Sequence, residues 1–380
     1  MQNNCSQDSS PHKMKILFLI HDLGVGGAEK VLVNLVNNMD RSKFDVSVTA
    51  LFGGVNEQFL KPDIHYRTIF SRLFRGNSHI MKLLSPKQLH RLFVKETYDV
   101  EAAYLEGPAT RIISGAPDGT KVVAWLHCTM NSAEDMAIGF RNYAEAKKAY
   151  QRFDMLAFVS QGVQEAFEQV CEVDCPQMIL YNTNESEMII QSSKEPINNW
   201  IQNNNMFCWC GVGKIVKNKG FDRMLRVQKR LISEGYKTHF FALGMGDQET
   251  ELKQWCKEQK IANNVTFMGY QTNPYKYVAK CDLFVCASYA EGFSTAATEA
   301  LIVGTPVCTV EVSGMKEMLG ENNEYGLVVE NNEEALYQGI KKLLDDSELL
   351  KHYKKKAKER GKMFSTEKTV NAVQDMLMSL

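Results

Sequence analysis

No apolar run in this chain reaches the roughly 18–20 residues of a membrane-spanning helix, which argues against a threaded transmembrane segment. The net charge of −1 gives no overall pull toward nucleic acid. Ten cysteines are present, but Cys208-x-Cys210 and Cys171-x3-Cys175 lack a second ligand pair, which disfavours structural zinc. Cys208, Cys210, Cys256, Cys286 and Cys308 sit in or beside apolar runs and read as small buried hydrophobes, a pattern suited to a reducing compartment. No Asp-x-Asp falls in a plausible loop, and Asp345-Asp346 ends a helical pattern as a solvated pair. Short-period repeats and low-complexity tracts are also lacking. The leader Met1–Lys13 is polar, so it reads as a disordered tail and not a signal peptide. The expected location is the cytoplasm, with peripheral attachment to the inner face of the cell membrane left open.

What the chain does have is length for two cores. At 380 residues, 44% hydrophobic and 23% charged, it suits two soluble domains. Apolar strands alternate with amphipathic helices from Lys15–Ile20 onward, through Asp45–Leu51, Asp99–Leu105, Lys121–Leu126, Met155–Val159 and Gln177–Tyr181. The pattern restarts at Phe207–Val212 and continues through Thr238–Leu243, Asn264–Met268, Leu283–Ala287, Pro306–Val310 and Gly326–Val329. Repeated βαβ order predicts two parallel doubly wound sheets. The predicted division is a leader at 1–13, a Rossmann-like domain at 14–185, a polar hinge at 186–202, a second Rossmann-like domain at 203–362, and a C-terminal helix at 363–380 that can return to the first domain. Ligands in such sheets bind beyond the strands' carboxyl ends, so chemistry is expected in a cleft between the domains.

The most informative segment is Tyr289-Ala290-Glu291-Gly292-Phe293-Ser294-Thr295-Ala296-Ala297-Thr298-Glu299-Ala300. A helix starting at Ser294 aims unpaired N–H groups and a partial positive charge beyond the strand end, which suits a phosphate. Glu291 and Glu299 are then separated by roughly 12 Å, too far for an acid/base pair on one bond but right for gripping two parts of a long ligand. Glycine turns with basic residues recur: His21-Asp22-Leu23-Gly24-Val25-Gly26-Gly27 ends the first strand, and Gly213-Lys214 with Lys219-Gly220 follows Phe207–Val212. A dinucleotide fingerprint is disfavoured, because Glu29 stands where a further glycine is needed. His127 closes the apolar strand Lys121–Leu126, and Gly244-Met245-Gly246-Asp247 follows Thr238–Leu243, where Asp247 can cap the next helix.

In order and spacing these elements resemble glycosyltransferase family 4, the retaining nucleotide-sugar transferases of GT-B fold. The likeness runs from about Lys15 to Glu334 and includes Gly304-Thr305-Pro306-Val307 and Gly314-Met315-Lys316-Glu317. It implies that Gly26 and Gly27 line the diphosphate and acceptor, that His127 positions the donor sugar, and that Lys214, Lys219 and the Gly244 turn neighbour the nucleotide diphosphate. It implies donor contacts from Gly292, Phe293, Ser294 and Thr295, ribose hydroxyls on Glu299, and Glu291 on the sugar as a catalytic group with Lys219 and His127. The chain departs from the family at Lys214, which replaces an arginine, and at Ser294, Thr295 and Asn182-Thr183-Asn184.

The implied reaction moves a hexose from a nucleotide diphosphate sugar, expected to be UDP-linked, to a saccharide or lipid-linked saccharide in surface-polysaccharide synthesis. No metal and no separate cofactor are expected. Residues 67–95 contain no acidic side chain before Glu96 and mix Arg67, Arg72, Arg75, Lys82, Lys87, Arg91 and Lys95 with apolar residues, a composition that suits an anionic membrane bearing a polyprenyl-diphosphate acceptor. A non-hydrolysing nucleotide-sugar epimerase and a non-catalytic nucleotide-sugar-binding partner subunit are the competing readings.

Overall fold

The computed structural model describes residues 13–24, 26–71, 81–197 and 206–380. Most of the predicted leader, residues 72–80 of the basic stretch and residues 198–202 of the predicted hinge lie outside the described residues.

The first sheet has seven parallel strands in the order β3-β2-β1-β4-β5-β6-β7. They are β1 Met14–Asp22, β2 Phe44–Phe52, β3 His65–Phe70, β4 Val100–Ala103, β5 Lys121–Leu126, β6 Met155–Phe158 and β7 Gln177–Ile179. Ile16 through Ile20 are all buried, as a strand covered by helices on both faces requires. β3 is absent from the sequence-based strand list. It is an edge strand whose His65 and Arg67 are exposed, so its apolar content is low. The front of the 67–95 run therefore lies in strand β3.

The second sheet has six parallel strands in the order β10-β9-β8-β11-β12-β13. These are β8 Phe207–Val212, β9 Thr238–Leu243, β10 Val265–Gly269, β11 Leu283–Cys286, β12 Val307–Val310 and β13 Leu327–Val329. The helix Phe221–Ser233 buries Phe221, Met224, Leu225 and Leu231 in the core of this unit with Trp209, Phe240 and Val285. In each sheet the order in which strands are added reverses once, between β1 and β4 and between β8 and β11. Those reversals define the crevices where doubly wound sheets bind ligands.

Two compact units result, and neither is one stretch of chain. The first contains Met1–Phe158, Glu165–Leu180 and Val370–Leu380; the second contains Val159–Gln164 and Tyr181–Thr369. Within the second unit, Ser186–Ser192 is a helix. The Ser186 N–H donates to the Thr366 hydroxyl at 2.9 Å. Asn182, Thr183, Asn184 and Ser186 are buried; Asn182 Nδ2 donates to the Phe293 carbonyl at 3.2 Å and Asn184 Nδ2 to the Thr298 hydroxyl at 3.3 Å. The helix Thr366–Met378 then carries the chain into the first unit, where Gln374 Oε1 accepts the Asp40 N–H at 2.6 Å. Among the described residues no helix is long and apolar enough to cross a membrane.

Candidate active site

The loop after β8 and the loop after β11 meet at the reversal of the second sheet. Gly220 caps the helix Phe221–Ser233 with φ +66°, and a side-chain carbon there would lie 2.0 Å from the Ala287 carbonyl oxygen. Only glycine permits this approach. The Tyr289 N–H donates to the Asn218 carbonyl at 2.8 Å, and Asn218 Nδ2 donates to the Ala290 carbonyl at 3.1 Å. These bonds set Lys219 beside Glu291, with Nζ 2.7 Å from Oε1. Ser288 Oγ donates to the same oxygen at 2.6 Å, and Cys286 Sγ lies 4.0 Å from it. Lys214, by contrast, is exposed and makes no side-chain ion pair among the described residues.

The turn that follows Glu291 is fastened from below. Ser160 Oγ donates to the Gly292 carbonyl at 2.9 Å and Asn182 Nδ2 to the Phe293 carbonyl at 3.2 Å, all within the second unit. The Phe293 ring points inward, stacked on Tyr181 with centroids 5.1 Å apart and edge-on to Phe364 at 5.8 Å. The Phe293 side chain therefore holds the turn and is buried. Ser294 caps the helix Thr295–Val303, its hydroxyl accepting the Ala297 N–H at 3.3 Å. The N–H groups of Thr295 and Ala296 have no acceptor among the described residues, leaving two amide dipoles at this helix start. Glu299, one turn onward, is buried, and the Tyr275 hydroxyl donates to its Oε1 at 3.3 Å.

Gly244 and Gly246 lie where the β9 loop passes the β8 loop, with the Ile215 N–H donating to the Met245 carbonyl at 2.9 Å. Asp247 does not cap the following helix: Gln248 occupies the cap position of Glu249–Glu258 without a side-chain hydrogen bond. Asp247 is exposed, and the Gln248 and Glu249 N–H groups beside it already donate to the Ile215 and Gly246 carbonyls at 3.2 and 3.3 Å, so no amide there needs a carboxylate cap.

The first unit contributes its own residues at the carboxyl edge of its sheet. Gly26 precedes the helix Gly27–Asn38 in extended conformation and carries no side-chain cap. Asp22 Oδ1 accepts the Gly24 N–H at 2.7 Å and Asp22 Oδ2 lies 2.8 Å from His21 Nδ1, shaping the entry to this loop. His127 follows β5, buried against the Tyr104 ring at 4.9 Å. The His127 backbone N–H donates to Glu106 Oε2 at 3.0 Å, and the buried ring Nε2 has no hydrogen-bond partner among the described residues. Burial pushes the imidazole down to about 3, so the ring is neutral at ordinary pH. Burial pushes the Glu106 carboxyl up, against lowering hydrogen bonds from the 127–128 turn.

Of the predicted residues, the structure brings Lys219, Glu291, Gly292, Ser294, Thr295 and Glu299 to one region of the second unit, and sets Gly26, Gly27 and His127 at one edge of the first. The sequence reading missed Ser288, Tyr275, Asn218, Ser160, Asn182 and Asn184. Ser288 carried a signal, being three residues from Glu291 in the same turn. The others act across 70 residues or more of chain or from outside any motif, where spacing says nothing.

The family profile described as Glycosyltransferase Family 4 matches residues 25–183, and that described as Glycosyl transferases group 1 matches residues 194–360. A Campylobacter jejuni protein named N-acetylgalactosamine-N,N'-diacetylbacillosaminyl-diphospho-undecaprenol 4-alpha-N-acetylgalactosaminyltransferase is 30% identical over 365 residues, covering 93% of this chain and 96% of that protein. Among solved structures, HepE of Anabaena in complex with UDP-glucose superposes with a TM-score of 0.73 at 19% identity, covering 97% of this chain and 100% of that one. WaaG, a glycosyltransferase involved in lipopolysaccharide biosynthesis, superposes at 0.70 with 16% identity, covering 95% and 99%. The chain is thus a glycosyltransferase of family 4, built on the GT-B fold.

Proposed function

We propose that this enzyme transfers a hexose or N-acetylhexosamine from a UDP-sugar to a polyprenyl-diphosphate-linked saccharide during polysaccharide synthesis, with retention of the α configuration. The observation that carries the reading is the Lys219–Glu291 contact at the β8/β11 reversal, beside two unpaired helix amides. The relative's name supplies the acceptor class and the alpha linkage, the configuration that retention from an α-linked donor leaves.

In this reading the bond from sugar C1 to the β-phosphate oxygen breaks, its electron pair leaving with UDP. Lys214, Lys219 and the amides of Thr295 and Ala296 take up that charge, so protein groups do the work and no metal ion is invoked. The acceptor hydroxyl attacks C1 on the face the diphosphate leaves, and its proton passes to the departing phosphate oxygen. Glu291 holds donor-sugar hydroxyls, Glu299 holds the ribose, and neutral His127 hydrogen-bonds the sugar through Nε2. Gly26 and Gly27 let the acceptor approach.

The segment 81–95 supports a membrane partner. Leu83 and Leu92 are 78% and 49% exposed, and Lys87, Arg91 and Lys95 are exposed around them. Such mixed surface suits anionic headgroups, which would place the enzyme at the membrane that carries its acceptor. Sedimentation with phosphatidylglycerol vesicles at low salt tests it; no co-sedimentation ends it.

The decisive experiment is UDP release from UDP-N-acetylgalactosamine and UDP-glucose by the wild-type, Lys219→Ala and Glu291→Gln proteins. Turnover of at least one donor is expected, falling at least about a hundredfold in each variant. No turnover of any UDP-sugar, or wild-type rates in both variants, overturns the reading.

A further inference from the structure

We propose that Ser288 is a positioning residue for sugar transfer, selecting which oxygen of Glu291 meets the donor. The proposal rests on Glu291 being the carboxylate that touches the sugar.

Among the described residues, every hydrogen bond to the Glu291 carboxylate falls on Oε1: Ser288 Oγ at 2.6 Å, Lys219 Nζ at 2.7 Å and Cys286 Sγ at 4.0 Å. A carboxylate oxygen offers about two lone-pair directions, so Oε1 is saturated. Oε2 is left for a sugar hydroxyl. Glu291 thus reaches the ligand in one orientation, with no rotation of the carboxylate to be arrested during the reaction.

The three donors are not equivalent. The Lys219 side chain is 32% exposed, and in the proposed reaction it also faces the diphosphate. Its hold on Glu291 is therefore shared once donor binds. The thiol of Cys286 is a weak donor at long range. Ser288 is 1% exposed, and its single proton already lies on Oε1 in a short, charge-assisted bond. Its placement is local: Ser288 and Glu291 are three residues apart, and the peptides between them are clamped by Asn218. Ser288 is the donor that stays fixed while Lys219 is divided between two anions.

The test measures UDP release from UDP-N-acetylgalactosamine and UDP-glucose, UDP affinity by calorimetry, and melting temperature. Ser288→Ala is expected to lower kcat about ten- to a hundredfold, the worth of one hydrogen bond to a charged group. UDP affinity should stay within about twofold, because Ser288 acts on the sugar end through Glu291. Ser288→Thr, which restores the hydroxyl, should recover most of the rate. If its extra methyl lowers the melting temperature, Ser288→Cys should give an intermediate kcat. Wild-type kcat in Ser288→Ala, or UDP affinity falling in step with kcat, or a folded Ser288→Thr as slow as Ser288→Ala, overturns the proposal. Glu291→Gln separates the two failures. If it is slow while Ser288→Ala is normal, only the positioning role falls. If Glu291→Gln turns over at the wild-type rate, the reading of the site falls with it.

Discussion

A side-chain carbon on Gly244 would lie 1.9 Å from the carbonyl oxygen of Gly213. Gly244 also has φ +140°, a conformation that L side chains rarely adopt. Gly244→Ala must push the β9 loop off the β8 loop, at a cost of roughly 3 kcal/mol or more. Urea unfolding should show the midpoint shift, with UDP affinity falling because Lys214 and Lys219 move. A wild-type midpoint would mean that the glycine serves ligand access alone.

Glu299 is buried and accepts a hydrogen bond from the Tyr275 hydroxyl, which helps to orient its carboxyl group. Glu299→Ala should weaken UDP binding by at least about tenfold and cut turnover about a hundredfold, since two hydroxyl contacts to a carboxylate are lost. Tyr275→Phe should weaken UDP by a smaller factor, about three- to tenfold, because one hydrogen bond that orients the carboxylate is lost. Calorimetry with UDP reads both. Wild-type affinity in Glu299→Ala would remove the ribose assignment.

His127 makes a pH prediction with a definite sign. Folding holds its ring neutral down to about pH 3, whereas an unfolded histidine gains a proton below about pH 6.5. The neutral ring's contribution to stability is complete above pH 6.5 and is lost as pH falls from there toward 3, by up to about 1.4 kcal/mol per unit. His127→Gln should flatten the stability–pH curve between about pH 4 and 6. An unchanged slope in urea titrations would show that the folded protein protonates this ring.

Arg111 is 1% exposed and donates to the carbonyls of Met81 at 2.7 Å and Leu84 at 2.6 Å, and to Glu145 at 3.0 Å. Arg111→Met would leave the Met81 and Leu84 carbonyls without this donor and Glu145 held by Arg141 alone, costing about 2–4 kcal/mol. Arg111→Lys should not rescue it, because one ammonium cannot reproduce the fork. Thermal unfolding checks this, and a melting temperature within about two degrees of wild type would contradict it.

The strands of both sheets other than β3 were legible because buried parallel strands read as short apolar runs between turn signals. β3 was not, since an edge strand has one neighbour and its exposed His65 and Arg67 break the pattern. The support that Asn182 and Asn184 give was not legible, because the groups they bond, the Phe293 carbonyl and the Thr298 hydroxyl, are more than 100 residues away. The candidate site was legible at Lys219, Glu291 and Glu299, where glycine turns and helix starts fix position locally. The atoms that orient those residues, on Ser288 and Tyr275, became visible only in three dimensions.

The helix Thr366–Met378 has a practical consequence for engineering. Its last turns bury Val370, Val373, Met376 and Leu377 in the first unit, and Gln374 accepts the Asp40 amide there. A single cut near residue 180 would strip four apolar side chains from one fragment and leave the other with a greasy, orphaned tail. Chimaeras that exchange halves among relatives should therefore graft the final eleven residues together with the amino-terminal portion.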